Sequence, residues 1–226
     1  RSEYGVKWMI NRGLYYMKLK MMSKIPASEM IFEKDILIKK IDIFDFDLTL
    51  IRGYLKNLDE DKKEGIISIA DKAIGGIING FSSIELDYGN PINWHLNPLT
   101  GYESEPEVKW YRIPDFDSKR GDIKVIWEAS RLTHFLYFCR AHLITGNTKY
   151  YEAFSNQLKH WLESNPYSYG ANYKCGQEAT LRMVNVLITY TVFDNCGLIT
   201  EADKENVIKL VEGSYKKVLS NFFYAY

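Results

Sequence analysis

The 226-residue sequence has no excess of either charge, few cysteines and no long apolar run. Lys+Arg and Asp+Glu stand at 29 each, so no net field draws the chain to nucleic acid or to an acidic membrane surface. An anionic polymer would therefore need a local basic cluster in a groove. Cys139, Cys175 and Cys196 are widely spaced and form no CxxC pair, which argues against a zinc site and indicates no disulfide framework. Their odd number leaves at least one thiol free or shared between molecules. No stretch approaches the roughly 18 apolar residues a membrane span requires. The opening Arg1-Ser2-Glu3 offers neither an initiator Met nor a signal-peptide apolar region, as expected of a processed or partial chain. Nothing in this inventory asks for a metal or a cofactor. What the sequence does have is apolar and aromatic material: 46% hydrophobic and 15% aromatic, with 17 Tyr and 5 Trp. That is enough for one well-packed domain with an N-terminal extension. Rings with a polar edge either stack on sugars or anchor a core.

Periodicity predicts a helix over residues 5–22, with Val6, Met9, Ile10, Gly13, Leu14, Met17 and Met21 on its apolar side. Pro26 interrupts it, and 30–54 reads as extended or irregular. Residues 1–54 are therefore assigned to an N-terminal helix and extended segment, and 55–226 to a helical domain. Ile66, Ile69, Ala70, Ala73 and Ile77 keep helical spacing up to Asn79-Gly80. Residues 81–120 form an irregular stretch with prolines from Pro91 to Pro114. Its aromatics, Tyr88, Trp94, Tyr102, Trp110 and Tyr111, predict an ordered segment lying across a surface. Four helices follow. The first spans 121–145, and Thr145-Gly146-Asn147 separates it from a second that Asn165-Pro166 stops. The third, 174–194, is almost continuously apolar, as a buried helix would be. Thr200 and Asp203 form a capping box for the fourth. The expected fold class is all-α, built from antiparallel helical hairpins; such hairpins close into bundles, solenoids or α/α toroids.

Polar residues among apolar ones mark where chemistry could sit. Glu178, Arg182 and Asn185 share one stripe of the 174–194 helix. They read either as an internal Glu178–Arg182 pair or as the wall of a cavity. Trp127, Arg131 and His134 share a face of the 121–145 helix beside Glu128. Trp and Arg there could hold a sugar ring and its carboxylate. Equally, Trp127 could be core and Glu128–Arg131 a surface pair. Trp94 and His95 lie in the proline-rich loop, where sites collect, although a Trp can also simply anchor a loop. His142 and His160 have no neighbour at metal-ligand spacing and read as surface or capping residues. Ile43-Phe44-Asp45-Phe46-Asp47-Leu48-Thr49 resembles the DxDxT signature of haloacid-dehalogenase-like phosphatases. Leu48 stands where a small residue is usual, and that fold needs alternating strands and helices, which this chain lacks. Asp45 and Asp47 are instead expected to face solvent from a short extended segment.

Several segments, in order, resemble one family. Asn90-Pro91-Ile92-Asn93-Trp94-His95 with Thr100-Gly101-Tyr102 is similar to the loop of heparinase II/III-like polysaccharide lyases. Gly121-Asp122-Ile123-Lys124 with Trp127-Glu128-Ala129-Ser130-Arg131 resembles that family's G-D-I-K-x-x-W-E-L-S-R helix start. Leu143-Ile144-Thr145-Gly146-Asn147 with Tyr150, then Trp161-Leu162 to Asn165-Pro166, Gly170-Ala171-Asn172-Tyr173, and Glu178 with Arg182 complete the pattern across 70–195. Asn90 and Asn93 stand where Asp is commoner, Tyr173 replaces a Trp and Gln177 an apolar residue.

The resemblance implies an incomplete α/α toroid, followed in relatives by a β-sandwich domain, and a periplasmic or secreted setting. It also implies β-elimination on a uronic-acid-containing polysaccharide. A base takes the C5 proton once the carboxylate is neutralised, and the C4 glycosidic oxygen leaves. Relatives carry an Asn-His motif, a catalytic Tyr and a second His beyond the helix that here reaches Ser220–Tyr226. The chain is therefore expected to hold no catalytic residue and to be inactive alone. Trp94, His95, Trp127, Glu128, Arg131, Asn172, Tyr173, Glu178 and Arg182 are expected near the substrate cleft. Two other readings stand beside this one. One is a non-catalytic glycan-binding or polysaccharide-assembly module. The other is a toroid glycoside hydrolase using Glu128 and Glu178, which buried placement of the two would end.

Overall fold

The computed structural model describes residues 5–32, 36–41 and 44–225, with backbone alone for residues 31 and 223–225. Arg1, Ser2, Glu3, Ile43 and Tyr226 lie outside the described residues. The architecture is predominantly helical. Helices α1 (Val6–Lys24), α2 (Glu29–Phe32), α3 (Leu48–Lys56) and α4 (Glu60–Ile74) come first. Three two-stranded antiparallel ribbons follow, β1 (Ile77–Gly80) with β2 (Ile84–Asp87), β3 (Leu96–Asn97) with β4 (Tyr102–Glu103), and β5 (Phe116–Asp117) with β6 (Gly121–Asp122). Helices α5 (Lys124–Ser130), α6 (Phe135–Thr145), α7 (Lys149–Ser164), α8 (Gly176–Asn195) and α9 (Glu201–Ala225) complete the chain.

The late helices keep their predicted punctuation. Gly146 takes the left-handed conformation (φ 72°) that ends α6, where only a residue without Cβ is unstrained. At the start of α9 the Thr200 N–H donates to Asp203 Oδ2 (3.1 Å) and the Asp203 N–H to Thr200 Oγ1 (3.2 Å). Asp203 also accepts from Tyr151 (2.6 Å) and Ser155 (2.5 Å), so the same carboxylate ties α7 to α9.

Four expectations change. The predicted 121–145 helix is broken at residues 131–134, where Leu132 is buried with φ 57°. The cause is long-range: Arg182 and Asn185 of α8 donate to the Ser130 and Arg131 carbonyls (3.2 and 2.9 Å), satisfying the end of α5 from outside. Ile77 lies in β1 because α4 ends at Gly75-Gly76, and a Cβ at Gly76 would come within 1.9 Å of the Gly89 carbonyl oxygen. The stretch read as extended or irregular over 30–54 includes most of α3, whose N-cap Asp47 accepts from the Thr49 and Leu50 N–H groups (2.9 and 3.1 Å). Asp45 and Asp47 are exposed, as expected. Finally, α1 buries the face opposite the predicted one. Tyr15 and Met22 turn inward and Leu19 packs on the core, while Val6, Met9, Ile10, Leu14, Met17 and Met21 stay exposed. The helix has two apolar stripes, and the one carrying Tyr15 and Leu19 faces α9 and the adjoining loop.

One continuous apolar core links Met22 and Ile41 of the N-terminal segment to Phe135, Phe138, Phe154, Phe193 and Leu210 of the helices. The 81–120 stretch is ordered, but anchored inward rather than draped: Tyr88, Trp94 and Trp110 are buried. The Tyr88 hydroxyl donates to the Val125 carbonyl (2.5 Å), pinning the β1–β2 ribbon to α5.

Candidate functional site

Two of the hollows among the described residues differ in the charge of their linings. The smaller, about 620 Å³, lies between the proline-rich loop and the end of α7. Trp94, His95 and His160 line it together with Glu103, Glu107 and Glu163, and no lysine or arginine is present. The larger is a groove of about 780 Å³ whose walls come from α1, the 110–123 loop, α5, and the facing ends of α8 and α9. Tyr15, Tyr16, Trp110, Phe116, Trp127 and Phe222 supply rings there. Arg12, Lys124 and Lys174 outnumber Asp115 and Asp122. A polyanion is repelled by three carboxylates, even with Lys159 3.9 Å from Glu163, and tolerated by a lining that is net positive. The groove is the candidate site.

Local structure explains its shape. Gly176 opens α8 beside Asn221 of α9, and a Cβ there would stand 3.2 Å from the Asn221 Cβ, so glycine lets the two helix ends meet. The Cys175 side chain does not cap α8, so among the described residues the first-turn amides of Gly176 and Gln177 on the groove wall have no side-chain acceptor. Trp127 is fixed by donating its indole N–H to the Ala171 carbonyl (2.8 Å). Lys174 Nζ donates to the Ile113 carbonyl (2.6 Å) and lies 3.4 Å from Asp115, holding the loop wall against α8.

Immediately behind the groove is a buried polar network. Arg131 grips Glu178 with two parallel bonds (Nε to Oε2 2.6 Å, Nη2 to Oε1 2.9 Å) and also donates to Glu128. The other Glu128 oxygen accepts the Phe81 N–H (3.0 Å) at the tip of the β1–β2 ribbon. Bonds to Glu178 and proximity to Glu128 hold the Arg131 guanidinium firmly in its charged form, against the effect of its partial burial. The expected Glu178–Arg182 pair is thus replaced by Glu178–Arg131, because the break after α5 swings Arg131 toward α8. Arg182 instead donates to the Ser130 and Asn172 carbonyls and lies 4.3 Å over the Trp161 ring. Burial lowers its pKa to about 10, so it stays charged at neutral pH. Asn172 in turn donates to the Trp94 carbonyl and to Asn165 (2.8 and 2.9 Å). Tyr173 stacks under Arg182 and is buried, which raises its hydroxyl pKa.

The histidines have settled partners. His134 no longer shares a face with Trp127 and Arg131. It is buried between Trp94, Phe135 and Phe138. Gln157 gives its amide N–H to the Ala73 carbonyl, so its oxygen accepts from His134 Nε2 (2.9 Å). Burial drops the His134 pKa to about 4, and the ring is neutral. His95 Nε2 donates to the Ser164 carbonyl (2.9 Å), and burial lowers its pKa too. His160 accepts the Trp94 indole N–H (3.0 Å), and His142 caps the α6–α7 turn at the Asn147 carbonyl (3.0 Å). Among the described residues no group of three or more His, Cys, Asp or Glu is placed to hold a metal.

Of the nine residues expected near a cleft, Trp127 lines the groove and Trp94 and His95 line the acidic hollow. Glu128, Arg131, Asn172, Tyr173, Glu178 and Arg182 form the network behind the groove. The paired-carboxylate hydrolase reading ends here, since Glu128 and Glu178 are both buried on one guanidinium. Sequence reasoning missed Arg12, Tyr15, Tyr16, Lys174 and Gln177 as groove residues. Gln177, polar where the resemblance expected an apolar side chain, was the one local signal.

In a comparison with known families, the model described as Heparinase II/III N-terminus matches residues 41–217, well over half the chain. No curated protein and no solved structure matches.

Proposed function

Because the chain belongs to the Heparinase II/III N-terminus family, we propose that it is the N-terminal helical part of a polysaccharide lyase whose groove receives a uronic-acid-containing polymer. The observation that carries this reading is the groove itself. Six aromatic rings, those of Tyr15, Tyr16, Trp110, Phe116, Trp127 and Phe222, and three cations line a channel about the size of a few sugar rings, directly in front of an ion-paired wall. Tyr16 and Trp127 would stack on pyranose faces, and Lys124, Lys174 and the first-turn amides of α8 would face carboxylates. The Arg131–Glu128–Glu178 cluster holds Trp127 and the α8 end in register rather than touching the sugar.

In this reading the reaction is β-elimination. A base removes the C5 proton, the electron pair forms the C4–C5 double bond, and the C4 glycosidic oxygen departs with a proton from an acid. We assign none of those proton transfers to the described residues. They fall to residues that follow α9 in a longer protein, where the helices would continue into an α/α toroid and a β-sandwich domain. The setting would be periplasmic or secreted. Among the described residues no helix is long and apolar enough to cross a membrane.

The test is the ultraviolet absorbance of unsaturated uronate, followed for this chain and for its full-length gene product on heparan-, alginate- and capsule-type polymers. The expected result is a signal from the full-length protein and none from the 226 residues. A signal from the chain alone would refute the placement of the chemistry. Polymer retention without any signal from the full-length protein would make this a glycan-binding or assembly module.

A further inference from the structure

The exposed face of α1 has no role in the groove, the core or the family match, which begins at residue 41. On a helical wheel Val6, Ile10, Leu14, Met17 and Met21 fall in one narrow stripe, each between 38% and 67% exposed. Lys7 borders the stripe on one side and Lys20 on the other, and Lys24 closes its C-terminal end; all three are exposed. The helix carries five cations and no acidic side chain, in a chain whose overall charge is zero. Two of the five are engaged elsewhere: Lys18 donates to the Ser220 carbonyl (2.7 Å), and Arg12 lies over Trp8 and Tyr16. The other three surround the apolar stripe.

We infer that this face of α1 docks on an anionic lipid surface, lying in the plane of the interface. An apolar stripe bordered by lysines, on a helix that is not a membrane span, is what such docking needs. The side chains enter the acyl boundary, and the ammonium groups reach the phosphates. An acidic polysaccharide would satisfy the lysines but offers nothing to Val6, Ile10 or Leu14. A second copy would satisfy the stripe but brings two sets of lysines together without an acidic residue on either helix. Only a surface that is both apolar and anionic answers both features. The opposite side of α1 supplies Arg12, Tyr15 and Leu19 to the groove, so docking would place α1 between the groove and the membrane surface. This inference stands independently of the proposed lyase activity.

Vesicle co-sedimentation of the 226-residue chain tests it, using phosphatidylcholine alone and phosphatidylcholine containing phosphatidylglycerol. The chain is expected on the anionic vesicles and not on the neutral ones, with release at high salt. Lys7→Glu/Lys20→Glu/Lys24→Glu and Ile10→Glu/Leu14→Glu should each weaken retention by at least about tenfold. Circular dichroism and the melting midpoint should not change, because every altered position is exposed. Absence of binding to anionic vesicles would overturn the inference, as would retention of either variant equal to that of the unaltered chain. So would a concentration-dependent dimer that Ile10→Glu/Leu14→Glu abolishes while vesicles are ignored, which would assign the face to self-association.

Discussion

The first half of α8 faces two regions of opposite character. Toward α5 it presents Glu178, Arg182 and Asn185, each locked to a named partner and nearly dry. Toward the groove, less than one turn away, it presents Gly176, Gln177 and Thr180, which line open space. One helix thus joins a side where every charge is committed to a side that is free to bind. The conspicuous charges belong to the first side. They hold the walls apart at a fixed spacing, and the residues that meet a ligand are the less conspicuous ones beside them.

If that division is right, the largest effect should come from Arg182→Ala. It orphans the Ser130 and Asn172 carbonyls, removes the cation from the Trp161 ring and leaves a cavity in a dry site. A loss of about 3–5 kcal/mol in urea unfolding is expected. A loss below about 1 kcal/mol would mean the network is not what ends α5. Acid should act on the same dry side. His134 titrates near 4 when folded, below the ordinary histidine value of 6.5, so the unfolded chain binds its proton first as pH falls. Its contribution is therefore complete above about pH 6.5 and lost progressively down to about pH 4, on the order of 3 kcal/mol, with His95 acting in the same direction. Unfolding curves across that window should flatten in His134→Phe, even though the variant starts less stable. Away from both regions, Asp47→Ala removes the cap of α3 and should cost about 1 kcal/mol.

The same contrast explains what could be read from the sequence. Helices α6 to α9 were legible because their signals are local: helical spacing, Gly146 and the Thr200–Asp203 box. The Gly75-Gly76 pair was a local signal as well, but Ile77 kept the helical spacing and masked the stop. The break after α5 was not legible at all. Its cause is a pair of side chains about fifty residues downstream, and Leu132 continues the apolar period straight through it. The stripe Glu178, Arg182 and Asn185 was identified correctly as one face, yet its partner was assigned within α8, since only spacing along the chain is visible there. The groove is harder still. Its walls come from α1, the 110–127 stretch and the facing ends of α8 and α9, and no single one of them carries a pattern. On α1 the two apolar stripes were indistinguishable by period, and only packing against α9 chose between them.

The smallest stability effect tests the open side. Gln177 is exposed at the groove, and among the described residues no hydrogen bond of its side chain crosses to another element. Gln177→Ala should therefore change unfolding free energy by less than about 0.5 kcal/mol, because surface substitutions away from caps and networks rarely do more. Tyr16→Ala, also exposed on the groove wall, should behave likewise, apart from its contact with Arg12. Both are expected to weaken retention of the chain on an immobilised uronate polymer, whereas Glu85→Gln, remote on the β1–β2 ribbon, should not. If the groove variants lower stability as Arg182→Ala does, the two faces of α8 form one structural unit, and the groove owes its shape to packing rather than to a ligand. If they leave both stability and retention intact, the binding surface lies elsewhere, and the acidic hollow beside Trp94 and His95 becomes the next region to probe.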